Sequence, residues 1–144
     1  MDVSFILDDL NEAQREAVTS ESRKLLVLAG AGSGKTKVLV HRIAWLIKAA
    51  SSSTHSILAV TFTNKAANEM TGRIEHILDQ PIPEMWCGTF HSISNRILRR
   101  HSKEAGLEKE FAILDSDDQL RIIKRILKQL DIDDEQWPPE KVRW

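Results

Sequence analysis

The stretch Leu25–Ile47, "LLVLAGAGSGKTKVLVHRIAWLI", decides the fold. Its first residues, Leu25 to Ala29, are apolar at every position, and glycines follow at 30, 32 and 34. A short apolar run of this kind predicts a strand covered on both faces. From Lys35 to about Ala50 the pattern is helical: Leu39, Ile43, Leu46 and Ile47 fall at i, i+4, i+7 and i+8, and "SSSTHS" ends the stripe. Glycines at the join let the backbone take positive φ and turn successive N–H groups toward one point, where the helix also presents its positive end. The wall Ala29, Gly30, Ala31, Gly32, Ser33 and Gly34 is therefore expected to hold an anion. Lys35 adds a mobile positive charge for outer phosphates, and the Thr36 hydroxyl is placed to hold Mg²⁺. The pattern G-x-x-x-x-G-K-[ST] is missed at its first position, Ala29. Such a loop binds a triphosphate without saying what the energy is used for, since kinases, switches and motors share it.

On either side of this stretch the pattern repeats. "LNEAQREAV" (10–18) reads as a short helix capped by Asn11, with Ala13, Ala17 and Val18 on its apolar face. "ILAVTF" (57–62) is a second buried strand, leading into a helix with Ala66, Met70, Ile74 and Ile77 at helical spacing. "MWCGTF" (85–90) is a third, followed by a helix with Ile93 and Ile97 inward and Gly106 as its stop. Strand and helix thus alternate three times, which implies right-handed βαβ units: an α/β fold with a parallel sheet and flanking helices. After "FAILD" the pattern changes. Ser116 and Gln119 have capping-box spacing, and Leu120, Ile123, Leu127 and Leu130 make one stripe on a long helix with no strand behind it. A helical subdomain is expected to begin near Asp115.

At 144 residues, 42 % of them hydrophobic, the chain can bury one ordinary core. No apolar run approaches the roughly 18 residues of a membrane span, and "MDVSFILDDL" is acidic where a secretory signal is basic. The single cysteine, Cys87, reads as a small buried apolar residue and suits a reducing cytoplasm. With a net charge of −1, any nucleic-acid partner must be argued from local placement. Arg96, Arg99, Arg100 and Lys103 lie on one helix face, a solvated face by default and a phosphate track as the alternative.

"LNEAQREAV", "AGAGSGKT", "AVTFTNKAANEM" and "GTFHS" stand in the order and approximate spacing of the Q motif and motifs I, Ia and Ib of superfamily 1A DNA helicases. Along its whole length the chain resembles the UvrD, PcrA and Rep family of that group. The resemblance implies an N-terminal piece. Residues 1–114 would be part of a RecA-like P-loop NTPase domain, called 1A, and 115–144 the truncated start of the helical 1B subdomain. It places Gln14 on the adenine edge, where an amide can donate to N7 and accept from the exocyclic amine; without the family, a glutamine on a short exposed helix is merely solvated. Lys35 and Thr36 become the catalytic pair, with Thr36 on the metal. Lys37 joins the ATP site where relatives commonly carry arginine, which keeps the charge and loses bidentate geometry.

The same resemblance assigns Phe62, Thr63 and Asn64 to single-stranded DNA: a stacking face and two short polar groups, just after a strand end where open α/β sheets meet ligands. Read alone, they are a core phenylalanine and a helix cap. Thr89, Phe90, His91 and Ser92 are the matching positions after the third strand, with His91 equally readable as a structural histidine. Arg73 matches the family, whereas Thr71 falls where relatives often have a basic residue. The activity implied is that of an ATP-dependent 3′–5′ helicase in nucleotide excision and mismatch repair, using ATP and Mg²⁺. Its implied partners are single-stranded DNA, the remainder of the helicase chain and DNA repair proteins, with no membrane.

The chain shows no second Mg²⁺ ligand or water-positioning carboxylate at a strand end; "DSDD" and "DIDDE" read as caps and solvated faces. Alone it is expected to be catalytically inert. The alternatives are a small P-loop phosphotransferase, which leaves Gln14 and "TFTNKAA" unexplained, and a noncatalytic nucleic-acid-binding module.

Overall fold

A computed structural model of the chain describes residues 3–133 and 135–142. The chain forms two compact units, Met1–Arg100 and His101–Trp144. Asp115, the expected start of the helical subdomain, lies inside the second unit.

The first unit opens with a 3-10 turn at Ser4–Ile6, which delivers Ile6 to the core fully buried. Helix α1 (Glu12–Thr19) starts as expected on Asn11: the Asn11 side chain accepts from Gln14 N–H while the Gln14 side chain accepts from Asn11 N–H, a complete capping box. Helix α2 (Lys35–Lys48) follows the glycine loop. Strands β1 (Leu58–Thr61) and β2 (Trp86–Thr89) pair in parallel, in register from Leu58 opposite Trp86 to Thr61 opposite Thr89. Helix α3 (Asn64–Leu78) connects them, completing one βαβ unit, and α4 (Phe90–Arg100) leaves directly from β2. The main core joins Ile6, Val40, Ile43 and Ala44 to Met70, Ile74 and Leu78 of α3, with Ala59 from the sheet. A smaller cluster of Leu10, Val18 and Val38 seals α1 onto α2.

Four expectations are corrected. The run Leu25–Ala29 is not a strand among the described residues: it joins no ladder, and Leu26 and Leu28 are 81 % and 86 % exposed. An all-apolar run records burial on both faces, and a sheet of two four-residue strands supplies neither a ladder partner nor a cover for it. The inward stripe of α2 is also rotated. Val40, Ile43 and Ala44 face the main core, Val38 faces α1, and Leu39 is exposed, because the helix is packed from two sides rather than one. In α4, Ile93 is buried and Ile97 exposed, since only the first turns of that helix lie over the sheet. The helix ends at Arg100, ahead of Gly106, which takes φ +67° in a separate hydrogen-bonded turn.

In the second unit, helix α5 (Ser116–Gln129) is capped one residue earlier than the Ser116–Gln119 spacing predicts. The Asp115 carboxylate accepts from the N–H groups of Asp117 and Asp118, and a charged acceptor at a helix start outcompetes the serine hydroxyl. Of its expected stripe only Leu127 is buried, while Leu130 is exposed. A short helix, α6 (Pro139–Val142), closes the described chain. No helix among the described residues is long and apolar enough to cross a membrane.

Candidate nucleotide and nucleic-acid site

Helices α1, α3 and α5 each begin under a side-chain cap, from Asn11, Thr63 and Asp115. Helix α2 begins on Gly34, in the left-handed region at φ +85°, with no side-chain cap. Gly32 is also left-handed, at φ +75°. The first N–H groups of α2 therefore lack the acceptor that the other helix starts carry, and the positive end of a 14-residue helix is concentrated there. The loop is closed beneath by Ser33, whose N–H and hydroxyl both donate to Gly30 O, at 3.4 and 2.8 Å.

Lys35 folds back over this turn. Its ammonium donates to Ala29 O at 3.2 Å and Gly30 O at 2.6 Å, so the cation sits against the mouth of the glycine loop. Thr36 is exposed in the first turn of the same helix. Gln14 reaches the loop from α1: its amide nitrogen donates to Ser33 O at 3.1 Å, and its amide oxygen accepts from Asn11 N–H at 3.2 Å. Asn11, Gln14, Val27, Ser33, Lys35 and Val38 line a cleft of about 280 Å³ here. That is at the low end of small-molecule clefts. Lys37 points away from it, donating to Asp9 O at 2.5 Å, and lines a larger cavity of about 620 Å³ with Phe5, His41 and Arg73 on the far side of α2. Size alone would select that cavity, but the glycine turn and the uncapped helix start lie at the smaller one.

The residues after β1 and β2 meet at the ends of adjacent strands. Phe62 is 92 % exposed, so it is not the core phenylalanine its isolated sequence suggests. It stands edge-to-face with Phe90, ring centroids 5.9 Å apart. Two exposed apolar rings held together at strand ends form a face on which bases can stack. Asn64 and His91 are exposed beside them in sequence. The hydroxyls are committed locally. Thr63 Oγ1 caps α3 by accepting from Ala66 N–H. Thr89 Oγ1 donates to Ser92 Oγ and accepts from Ser92 N–H, and Ser92 Oγ donates to Thr89 O, so both close the strand-to-helix turn. Gly88 makes this turn possible, because a Cβ there would lie 2.6 Å from Ser92 Oγ. In the basic stripe of α4, Arg96 is engaged, its guanidinium 4.2 Å from the Trp86 ring centroid. Cys87 is half-buried, with its thiol 3.6 Å from Ala67 O.

Residues 10–144 match the model of the UvrD/REP helicase N-terminal domain. The chain belongs to this family. It is 56 % identical to DNA helicase II of Escherichia coli and 54 % identical to that of Salmonella typhimurium, over all of its own length and 20 % of theirs. To the ATP-dependent DNA helicase PcrA of Bacillus subtilis it is 47 % identical, over 95 % of this chain and 18 % of that one. The chain thus spans about a fifth of the length of the curated relatives it matches.

Within this UvrD/REP domain, three side chains that sequence reading passed over bind backbone carbonyls around the site. Arg15 Nε donates to Leu7 O and Leu10 O. His41 is buried in α2 with Nδ1 on Ile6 O. Arg42 Nη1 donates to Ala17 O, Val18 O and Ser20 O. The one signal of His41 and Arg42 in the sequence is that "HR" interrupts an otherwise apolar segment of α2; Arg15 carries none.

Proposed function

We propose that this chain is the ATP-binding and single-strand-binding segment of an ATP-dependent 3′–5′ DNA helicase, acting in excision and mismatch repair as its sequence resemblance implies. Supporting the ATP site most directly is the uncapped start of α2 on left-handed Gly34, beside an ammonium held only by loop carbonyls. This donor set fits a polyphosphate: unsatisfied backbone N–H groups, one mobile cation and an exposed hydroxyl for a hard divalent ion. The residues that would hold Mg-ATP are Ala29 to Gly34 by backbone, Lys35 on the outer phosphates, Thr36 on Mg²⁺ and Gln14 on the base; Lys37 would have to leave Asp9 O to join them. When bound, Mg-ATP supplies the phosphoanhydride whose hydrolysis drives strand translocation.

At the ends of β1 and β2, Phe62 and Phe90 stack bases, with Asn64 and His91 as polar contacts and Thr63, Thr89 and Ser92 shaping the two turns. Such binding is weak and salt-sensitive, as expected for a few contacts to a charged strand. Turnover is not expected from these residues alone. The second Mg²⁺ ligand and the water-positioning carboxylate that hydrolysis needs are not expected in this segment, and the Asp115 carboxylate is occupied as a helix cap. Motion also requires a second body to close against the first. Titration of the purified chain with a fluorescent Mg-ATP analogue, in parallel with Lys35→Ala, tests this reading. Saturable binding lost in the variant supports it; DNA binding with no nucleotide affinity would leave a noncatalytic nucleic-acid module. Steady ATP turnover by the chain, abolished in Lys35→Ala, would overturn the inertness.

A further inference from the structure

Helix α1 is fastened to the glycine-loop element at both ends. At its N-terminal end the Gln14 amide donates to Ser33 O of the loop. At its C-terminal end Arg42, seven residues after Lys35 on α2, places Nη1 3.0, 3.0 and 3.1 Å from the oxygens of Ala17, Val18 and Ser20. These are carbonyls at the negative end of an eight-residue helix whose own last turn carries no basic residue. A guanidinium is suited to this position because its fixed, always-charged N–H groups satisfy several carbonyls at once. Between the two fastenings, Val18 and Val38 close a buried apolar contact.

An amide has two donors and two acceptor positions. In Gln14 one donor is used on Ser33 O and one acceptor position on Asn11 N–H. One of each remains, the pair that an adenine edge complements. Where that free pair points depends on the tilt of α1 against the loop, and Arg42 is the polar contact that sets the tilt from the far end. We propose that Arg42 is a positioning residue for nucleobase recognition: by capping α1 from the phosphate-loop helix it makes the base-reading amide and the phosphate loop one rigid body. This rests on the ATP-binding reading above and adds a residue to which that reading gives no role.

Arg42 then matters for the base end of the nucleotide and not for the phosphate end, which a general loss of folding would not reproduce. The test compares Mg-ATP with Mg-tripolyphosphate, binding each to the purified chain and to its Arg42→Ala, Arg42→Lys and Gln14→Ala variants by calorimetry. Arg42→Ala and Gln14→Ala are each expected to weaken Mg-ATP about tenfold while leaving Mg-tripolyphosphate within about twofold, with Arg42→Lys intermediate. Equal losses for both ligands in Arg42→Ala would overturn the proposal in favour of a purely structural arginine. So would unchanged Mg-ATP binding in Arg42→Ala and Arg42→Lys while Gln14→Ala is impaired. If the unsubstituted chain binds no Mg-ATP, or Gln14→Ala is neutral, the underlying reading fails and the role of Arg42 with it.

Discussion

Helices α2 and α3 both follow an apolar run and a turn, yet their first residues differ in what they leave open. At α3 the Thr63 hydroxyl accepts from Ala66 N–H, and the preceding residue, Phe62, is turned out to solvent. At α2 the start is a left-handed glycine without a cap, and the nearest cation rests on loop carbonyls. One helix start is capped by a side chain and offers a neighbouring ring; the other has no side-chain cap. The function proposed above reads these two starts as two ligand chemistries on one architecture, base stacking where the backbone is satisfied and polyphosphate where it is not.

The largest contrast is expected from Lys35→Ala. Removing the Lys35 ammonium at the uncapped start should reduce Mg-ATP affinity by more than about a hundredfold, while single-strand binding at the Phe62–Phe90 face, measured by fluorescence anisotropy, stays unchanged. Phe62→Ala is the converse. Its ring is too exposed to contribute to the core, so stability by denaturant titration should hold within about 0.5 kcal/mol. Single-strand affinity should fall by about 1–3 kcal/mol, the value of one base–aromatic stack. Loss of DNA binding in Lys35→Ala, or of nucleotide binding in Phe62→Ala, would show that the two starts are not separable.

Gly34→Ala acts on the backbone itself. A side chain at φ +85° is strained by about 1–2 kcal/mol, and its Cβ would lie 3.0 Å from Gln14 Nε2, pushing away the amide that reads the loop. Thermal unfolding and Mg-ATP titration should both register it. Gly30→Ala, where no atom lies within 4 Å of an added Cβ and φ is not positive, should be silent in both. Among the variants expected to act, the smallest effect belongs to the capped start: Thr63→Ala should cost about 1 kcal/mol of stability by denaturant titration. Because Thr63 shapes the turn beside Phe62 rather than supplying a ring, single-strand affinity should change less than in Phe62→Ala.

Much of this was legible from residues near one another in the chain. The Asn11 cap, the helix after Lys35, the strands at 58–61 and 86–89 and the helix between them all appear where hydrophobic period and glycine placement put them. Local sterics and capping set such features within a few residues, so a short window contains their causes. The glycine turn and Lys35 fall together for the same reason, since the ammonium reaches carbonyls only five and six residues before it, whereas Gln14 meets Ser33 across 19 positions through the packing of α1 on α2.

What escaped the sequence depended on neighbours distant in the chain. Leu26 and Leu28 carry the pattern of a buried strand, yet burial needs a ladder beside them and a layer over them, and a run of side chains cannot specify either. Leu39 was assigned inward by its period, but α2 is packed by α1 on one side and by the α3 core on another, which rotates the buried face. Phe62 and Phe90 are 28 positions apart in number and become one edge-to-face pair because Thr61 and Thr89 are registered opposite each other in the sheet. Arg42 is the clearest case. Its chemistry was visible as a cation in an apolar helix, but its partners are three backbone carbonyls of α1, and backbone carbonyls carry no letter in a sequence. Residue types and short spacings establish which chemistry is available, because covalent proximity fixes it; which groups meet is settled by packing, because the free energy of burial depends on every neighbour at once.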